Sequence, residues 1–229
     1  MSASPRYLIV NADDLGASAS VNRGILEAHE HGIVTSASLM VDMPGAGSLT
    51  STGSMSVGLH AQLTNEDAEL LFDTGACREE VERQLGRFEA LLGRPPTHLD
   101  SHHNVHLEPP LSELFEEIAR ERGLPLRGFS PARYYADFYG QWDDETHLEQ
   151  VSVETLSEML AVEVGPGITE LGCHPGYTGD GFESSYLIER EAEVRTLCDP
   201  AIRARVQELG ITLIDYTELA AAAAGEREG

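Results

Sequence analysis

Tyr7-Leu8-Ile9-Val10-Asn11-Ala12-Asp13-Asp14-Leu15-Gly16 runs through four apolar residues and then breaks on an amide and two adjacent carboxylates. A short unbroken apolar run bounded by polar residues is what a strand covered on both faces requires, as in a parallel sheet. A helix should follow, with Ser20 as its N-cap, Val21, Ile25 and Ala28 on one stripe, and Gly32 at its end. The alternation repeats. Further strands are expected at Ser36 to Val41, Val57 to Leu63, His98 to Asp100, Ile168 to Cys173 and Ile211 to Asp215, with a weaker one at Leu126 to Phe129. The clearest helix sets Val81, Leu85, Phe88 and Leu92 on one stripe, stops at Gly93 and meets Pro95-Pro96, which cannot continue it. Others cover Leu111 to Arg122, Val153 to Glu163, Ser184 to Leu197 and Pro200 to Leu209. Strands and helices taking turns predict one α/β domain over residues 1–229, a TIM-like (β/α) barrel of parallel strands, irregular in places, with an Ala-rich end that frays from about residue 222.

The chain has 229 residues, 41% of them hydrophobic, which is enough for one sizeable core. With 15 Lys and Arg against 39 Asp and Glu, its formal charge is −24, which repels phosphate backbones and anionic lipid. Nucleic-acid binding and membrane insertion are therefore not expected, and no apolar run approaches the roughly 18 residues a bilayer span needs. Cys77, Cys173 and Cys198 are odd in number and form no C-x-x-C pair, so neither a disulfide framework nor a zinc ribbon is indicated. The run after Arg6 is too short for a secretory leader, and a reducing cytoplasm is the expected compartment. Gly45-Ala46-Gly47 lacks the third glycine and the acid of a dinucleotide fingerprint. Tyr134, Tyr135, Phe138, Tyr139 and Trp142 crowd one stretch of a chain that is only 6% aromatic; satellite core, a platform for a flat ligand and a two-fold contact in a homodimer all fit it.

Ionisable residues recur where the strands end. Asp13-Asp14 closes the first, His60 sits late in the third, Asp100-Ser101-His102-His103-Asn104-Val105-His106 closes the fourth, and Cys173-His174-Pro175-Gly176 closes the sixth. In a parallel barrel these C-terminal ends share one face, where barrel enzymes place catalytic groups. Two adjacent carboxylates after a buried strand repel each other and call for a cation or a shared proton, unless one merely caps the next helix. Four of the nine histidines, His98, His102, His103 and His106, lie within nine positions around Asp100. Imidazoles with one carboxylate are a common ligand set for a divalent metal.

Asn11-Ala12-Asp13-Asp14-Leu15-Gly16, Val21-Asn22-Arg23-Gly24-Ile25, Gly32-Ile33-Val34-Thr35-Ser36, Gly58-Leu59-His60, Thr97-His98-Leu99-Asp100-Ser101-His102-His103 and Cys173-His174-Pro175 together resemble the YdjC/ChbG-like carbohydrate deacetylases, in order over most of the chain. The resemblance implies a (β/α) barrel and metal-dependent removal of an N-acetyl group from an amino sugar, such as N-acetylglucosamine in short chitin-derived saccharides. It implies that Asp14, His60 and His102 bind one divalent ion, Mg²⁺ or Zn²⁺, that Asp13 is the base and that His174 is a protonated acid. His103, His106, Tyr177 and Arg133 are the candidates for touching a small carbohydrate substrate. Two positions depart from the family pattern: Leu15 stands where an aromatic is usual, and Asn104 replaces the last ring of a frequent triple histidine. A metal-dependent phosphoesterase on a similar barrel, using Arg23, Arg127 or Arg133 for phosphate, and a non-catalytic sugar-binding module are the alternatives.

Overall fold

The computed structural model describes residues 4–49, 51–65, 68–143 and 145–226. In chain order it has β1 (Arg6–Leu15), α1 (Ala19–Glu30), β2 (Ser36–Leu39), β3 (Ser56–Ala61), α2 (Thr74–Leu92), β4 (Leu99–Ser101), α3 (Leu111–Arg122) and β5 (Arg133–Tyr135). A hairpin of β6 (Gln141–Trp142) and β7 (Glu145–Thr146) follows, then α4 (Val153–Val162), β8 (Gly167–Cys173), α5 (Ile188–Leu197), α6 (Pro200–Glu208), β9 (Ile211–Leu213) and α7 (Leu219–Glu226). The main sheet is parallel in the order β4-β3-β2-β1-β8-β5 and curls into a half-barrel. β1 is its axis. One edge pairs with β8 from Arg6 to Ala12; the other meets β9 along Arg6 to Leu8 and β2 from Asn11 onward, so two strands share that edge.

Period-2 alternation sorts the sheet's two faces. Leu8, Val10 and Ala12 of β1, Ala37 and Leu39 of β2, and Val57, Leu59 and Ala61 of β3 join the main apolar core with Val21, Ile25 and Ala28 of α1 and Val81, Leu85 and Phe88 of α2. The alternate residues turn to the concave side, and there much of the filling is polar. Asn11 donates to Ser38 (2.9 Å), Ser38 donates to Asp100 (2.6 Å), and His98 stacks on Tyr216 at 3.8 Å. Gly58 has to be glycine, because a Cβ there would lie 2.4 Å from the His98 ring.

The expected parallel, barrel-like α/β fold is present as this half-barrel, with local differences. Ser18 rather than Ser20 caps α1: its hydroxyl accepts the Val21 N–H at 3.1 Å, and the Ser20 N–H goes to the Asp180 carboxylate. The weak strand near Leu126 reduces to one parallel bridge, Leu126 to Leu99. Arg133–Tyr135 is an edge strand that the aromatic crowding concealed, and β6–β7 is an antiparallel hairpin within an otherwise parallel design. Through the Ala-rich end, α7 continues as helix to Glu226. Leu219 and Ala222 of α7 are buried with Ile9, Ile168, Ile214 and Tyr216 in a second apolar cluster, because Ile9 faces the concave side and needs an apolar neighbour. Residues 227–229 of the expected tail lie outside the described residues.

Candidate active site

Asp13 leaves β1 on the concave side, in step with Ile9 and Asn11. Strict alternation would turn Asp14 outward. Instead its φ of 66° takes the backbone into the left-handed region, and both carboxylates line one cavity with His60, His102, His103 and His174. His103 and Asn104 are also left-handed, at φ 57° and 52°. Such backbone costs about 1–3 kcal/mol per residue and persists only where its surroundings enforce it. Thr64 supplies one such constraint, its hydroxyl lying 2.9 Å from His103 Nδ1.

The adjacent carboxylates are tolerated because each has its own guanidinium. Arg127, fully buried, forks onto Asp13 through Nη2 to Oδ1 (2.7 Å) and Nη1 to Oδ2 (2.8 Å), and also meets Asp100 (3.1 Å) and Glu170 (2.8 Å). Arg190 of α5 donates to Asp14 Oδ2 at 2.6 Å. Burial alone would raise both carboxyls, yet Arg127 and His60 lower Asp13, while Arg190, His102 and His60 hold Asp14 well below the usual range. Neither carboxylate is a helix cap.

The other Asp14 oxygen faces two imidazoles. Oδ1 is buried without a hydrogen-bond partner, while His60 Nε2 lies 3.4 Å and His102 Nδ1 3.3 Å away, both too long for well-made hydrogen bonds. His60 donates from Nδ1 to Asp100 Oδ1 (2.7 Å), which turns its Nε2 toward Asp14; a carboxylate behind a ligating imidazole orients it this way. These three groups lie close enough together to hold one cation. Burial pushes the His60 ring down, but the Asp13 and Asp100 carboxylates raise it to about 10, so the cluster draws a positive charge. Asp13, His60 and Asp100 also converge, but Arg127 already occupies that space as their counter-charge.

His174 follows β8 into the same cavity. Its Nε2 is 3.9 Å from Asp13 Oδ2, its Nδ1 is buried without a partner, and its backbone N–H is accepted by Glu193. Burial pushes its ring down to about 4. At neutral pH the resting ring is therefore uncharged.

Three expected substrate contacts lie elsewhere. His106 is buried, with Nδ1 2.7 Å from the Ser101 hydroxyl and its ring against Phe115, because the tight turn after His102 carries it behind β4. Tyr177 packs on α1, donating to Glu27 (2.9 Å) under Arg23. Arg133 is exposed over Tyr135 and pairs with Glu163. Conversely, Arg190 and the rings of Tyr134, Tyr139, Trp142 and Tyr186 line the cavity. The aromatic crowding signalled part of this; for Arg190 the one signal is a set of charged residues, with Glu189 and Glu193, at core spacing within α5.

A family model described as YdjC-like protein matches residues 7–208. A carbohydrate deacetylase of Geobacillus stearothermophilus is 38% identical, with 93% of this chain and 98% of that protein covered. A chitooligosaccharide deacetylase of Serratia marcescens is 32% identical, with 93% and 99% covered. Among solved structures, a candidate cellobiose-phosphate cleavage protein of Enterococcus faecalis V583 superposes with a TM-score of 0.81 at 27% identity, covering 94% of this chain and 99% of that one. A family match running from the first strand to α6, joined by a relative alike along almost its whole length, makes this chain a member of the YdjC-like family.

Proposed function

We propose that the protein is a metal-dependent carbohydrate deacetylase, hydrolysing the N-acetyl group of an amino sugar in a short saccharide to acetate and the free amine. The relatives named above act as carbohydrate and chitooligosaccharide deacetylases by their descriptions, and the site supports the same chemistry. One observation carries the reading: a buried Asp14 oxygen without a partner faces two imidazole nitrogens, with a second carboxylate, Asp13, beside it.

Asp14, His60 and His102 fit a divalent ion by donor type and by that unpartnered oxygen. Two imidazoles and a carboxylate suit Zn²⁺, while open positions for water also suit Mg²⁺. When bound, such an ion supplies a Lewis acid that polarises the acetamide carbonyl and acidifies water. Asp13, held ionised by Arg127, takes the proton of the attacking water. His174, neutral at rest and 3.9 Å from Asp13, collects a proton in the course of turnover and passes it to the departing nitrogen, so the two groups work as a relay. His103, on the cavity wall, is placed to contact the sugar.

A phosphoesterase would need free cations for phosphate. Arg127 and Arg190 are committed to the aspartates, and Arg23 and Arg133 do not line the cavity among the described residues, so that reading loses its support. All three cysteines are unpaired, and no described helix is long and apolar enough to cross a membrane. The test is acetate release from a panel of N-acetylated amino sugars with and without chelator. Release that stops with chelator and returns with Mg²⁺ or Zn²⁺ is expected; release indifferent to chelator removes the metal from the reaction, and no release from any sugar removes the activity.

A further inference from the structure

The cavity, about 610 Å³, is larger than an acetamido group and its own ring need, and one wall of it is aromatic. Tyr139 lies beside the chemistry, its ring 5.5 Å from that of His174 in an edge-on arrangement. Trp142, three residues further along and at most about 10 Å away along the chain, lines the same cavity. Both rings are large and unusually open, Tyr139 36% and Trp142 44% exposed. Yet each is backed on one face by a parallel partner: Tyr139 by Tyr186 at 4.5 Å and 4°, Trp142 by His147 at 3.6 Å and 1°. A ring braced on one face offers the other.

The brace is built, not incidental. The Tyr186 hydroxyl accepts the Gly140 N–H at 2.8 Å and donates to buried Glu193. Gln141 Nε2 donates to the Ser185 carbonyl at 2.9 Å, and the His147 N–H to the Gly140 carbonyl at 2.7 Å. Side-chain and backbone bonds thus fix the β6–β7 hairpin against the segment that leads into α5. Little ordering cost remains for a ligand to meet.

We propose that Trp142 is a stacking platform for a second sugar ring, the neighbour of the acetylated one, and so selects oligosaccharides over the monosaccharide. This rests on the deacetylase reading and deepens it. A pyranose presents a face of C–H groups that are weakly positive, complementary to the negative face of an indole, while its hydroxyls point outward to polar groups such as Gln141 and Gln150 on the cavity wall.

Trp142 is the single tryptophan of the chain, so intrinsic tryptophan emission reports on it alone. Titration of the wild-type protein with N-acetylglucosamine and with its β-1,4-linked disaccharide and trisaccharide should quench or shift that emission for the longer sugars and not for the monosaccharide. In Trp142→Ala the disaccharide-to-monosaccharide ratio of kcat/KM should fall roughly five- to tenfold, through KM rather than kcat, with Trp142→Phe recovering most of it. An unchanged ratio in Trp142→Ala, or disaccharide hydrolysis with no response of Trp142 emission, overturns the platform. Saturable emission changes without acetate release from any sugar would keep the platform and overturn the deacetylase reading. If Trp142→Ala does not fold, Trp142→Phe and the wild-type titration still decide.

Discussion

Replacing Arg127 with Met should do more than weaken the fold: it should make the loss depend on pH. Arg127 is the shared counter-charge of Asp13, Asp100 and Glu170, all buried, and it satisfies five contacts of 2.7–3.2 Å with these carboxylates and Asn104. Removing one partner of a buried ion pair typically costs about 3–5 kcal/mol. That is a large share of the roughly 5–15 kcal/mol that keeps a domain folded. In the wild type, Asp13 and Asp100 have folded-state pKa values below their unfolded value of 3.8. Their contribution is fully present above pH 3.8, is lost as pH falls through the folded values, and gives no slope between pH 5 and 7.5. Without Arg127, burial dominates and lifts the same carboxyls above 3.8. They then cost stability increasingly as pH rises, by about 1.4 kcal/mol per pH unit for each group that stays protonated in the native state. Urea unfolding of both proteins at pH 5 and pH 7.5 should show a penalty of several kcal/mol at pH 7.5 that shrinks at pH 5. A penalty below about 1 kcal/mol, or an equal one at both pH values, would refute Arg127 as the counter-charge of these three carboxylates.

Gly58→Ala puts a methyl 2.4 Å from the His98 ring and should destabilise by about 1–3 kcal/mol; His98→Ala in the same chain should relieve part of that, measured as non-additivity in unfolding. Burial lowers His98 to about 3 from an unfolded value of 6.5, so stability falls as pH drops from 6.5 toward 3, by about 3 kcal/mol at pH 4; a His98→Asn protein should lack that part of the acid slope. Asp13→Asn should lower kcat by about 10²–10⁴ and leave bound metal in place, checked by elemental analysis alongside acetate release, and unchanged turnover would remove Asp13 from the base role.

The strands that set the frame are legible because each is a short apolar run, and Asp13, Asp14, His60, His102 and His174 stand out because each follows one. What the sequence cannot display is pairing across distance. Arg127 reaches Asp13 over 114 positions and Arg190 reaches Asp14 over 176, and neither carries a local mark of that role. His106 looks equivalent to His102 in sequence, but a left-handed turn at His103 and Asn104 sends it behind β4. β5 is only three residues long at a sheet edge and partly exposed, so it lacks the apolar run that marks β1 or β8. The polyalanine of α7 carries a weak amphipathic signal, and its anchoring depends on Ile9 facing a half-barrel floor that exists only once the sheet has curled.

Bound metal per chain, measured by elemental analysis after dialysis, tests the ligand set most directly when wild type is compared with His102→Ala. His102 is the most exposed of the three donors, so its loss should spare the fold. One divalent ion per wild-type chain and well under one in His102→Ala is the expected result. A wild type that holds no ion after incubation with Mg²⁺ or Zn²⁺, or a His102→Ala protein that keeps a full equivalent, would contradict a site built from Asp14, His60 and His102.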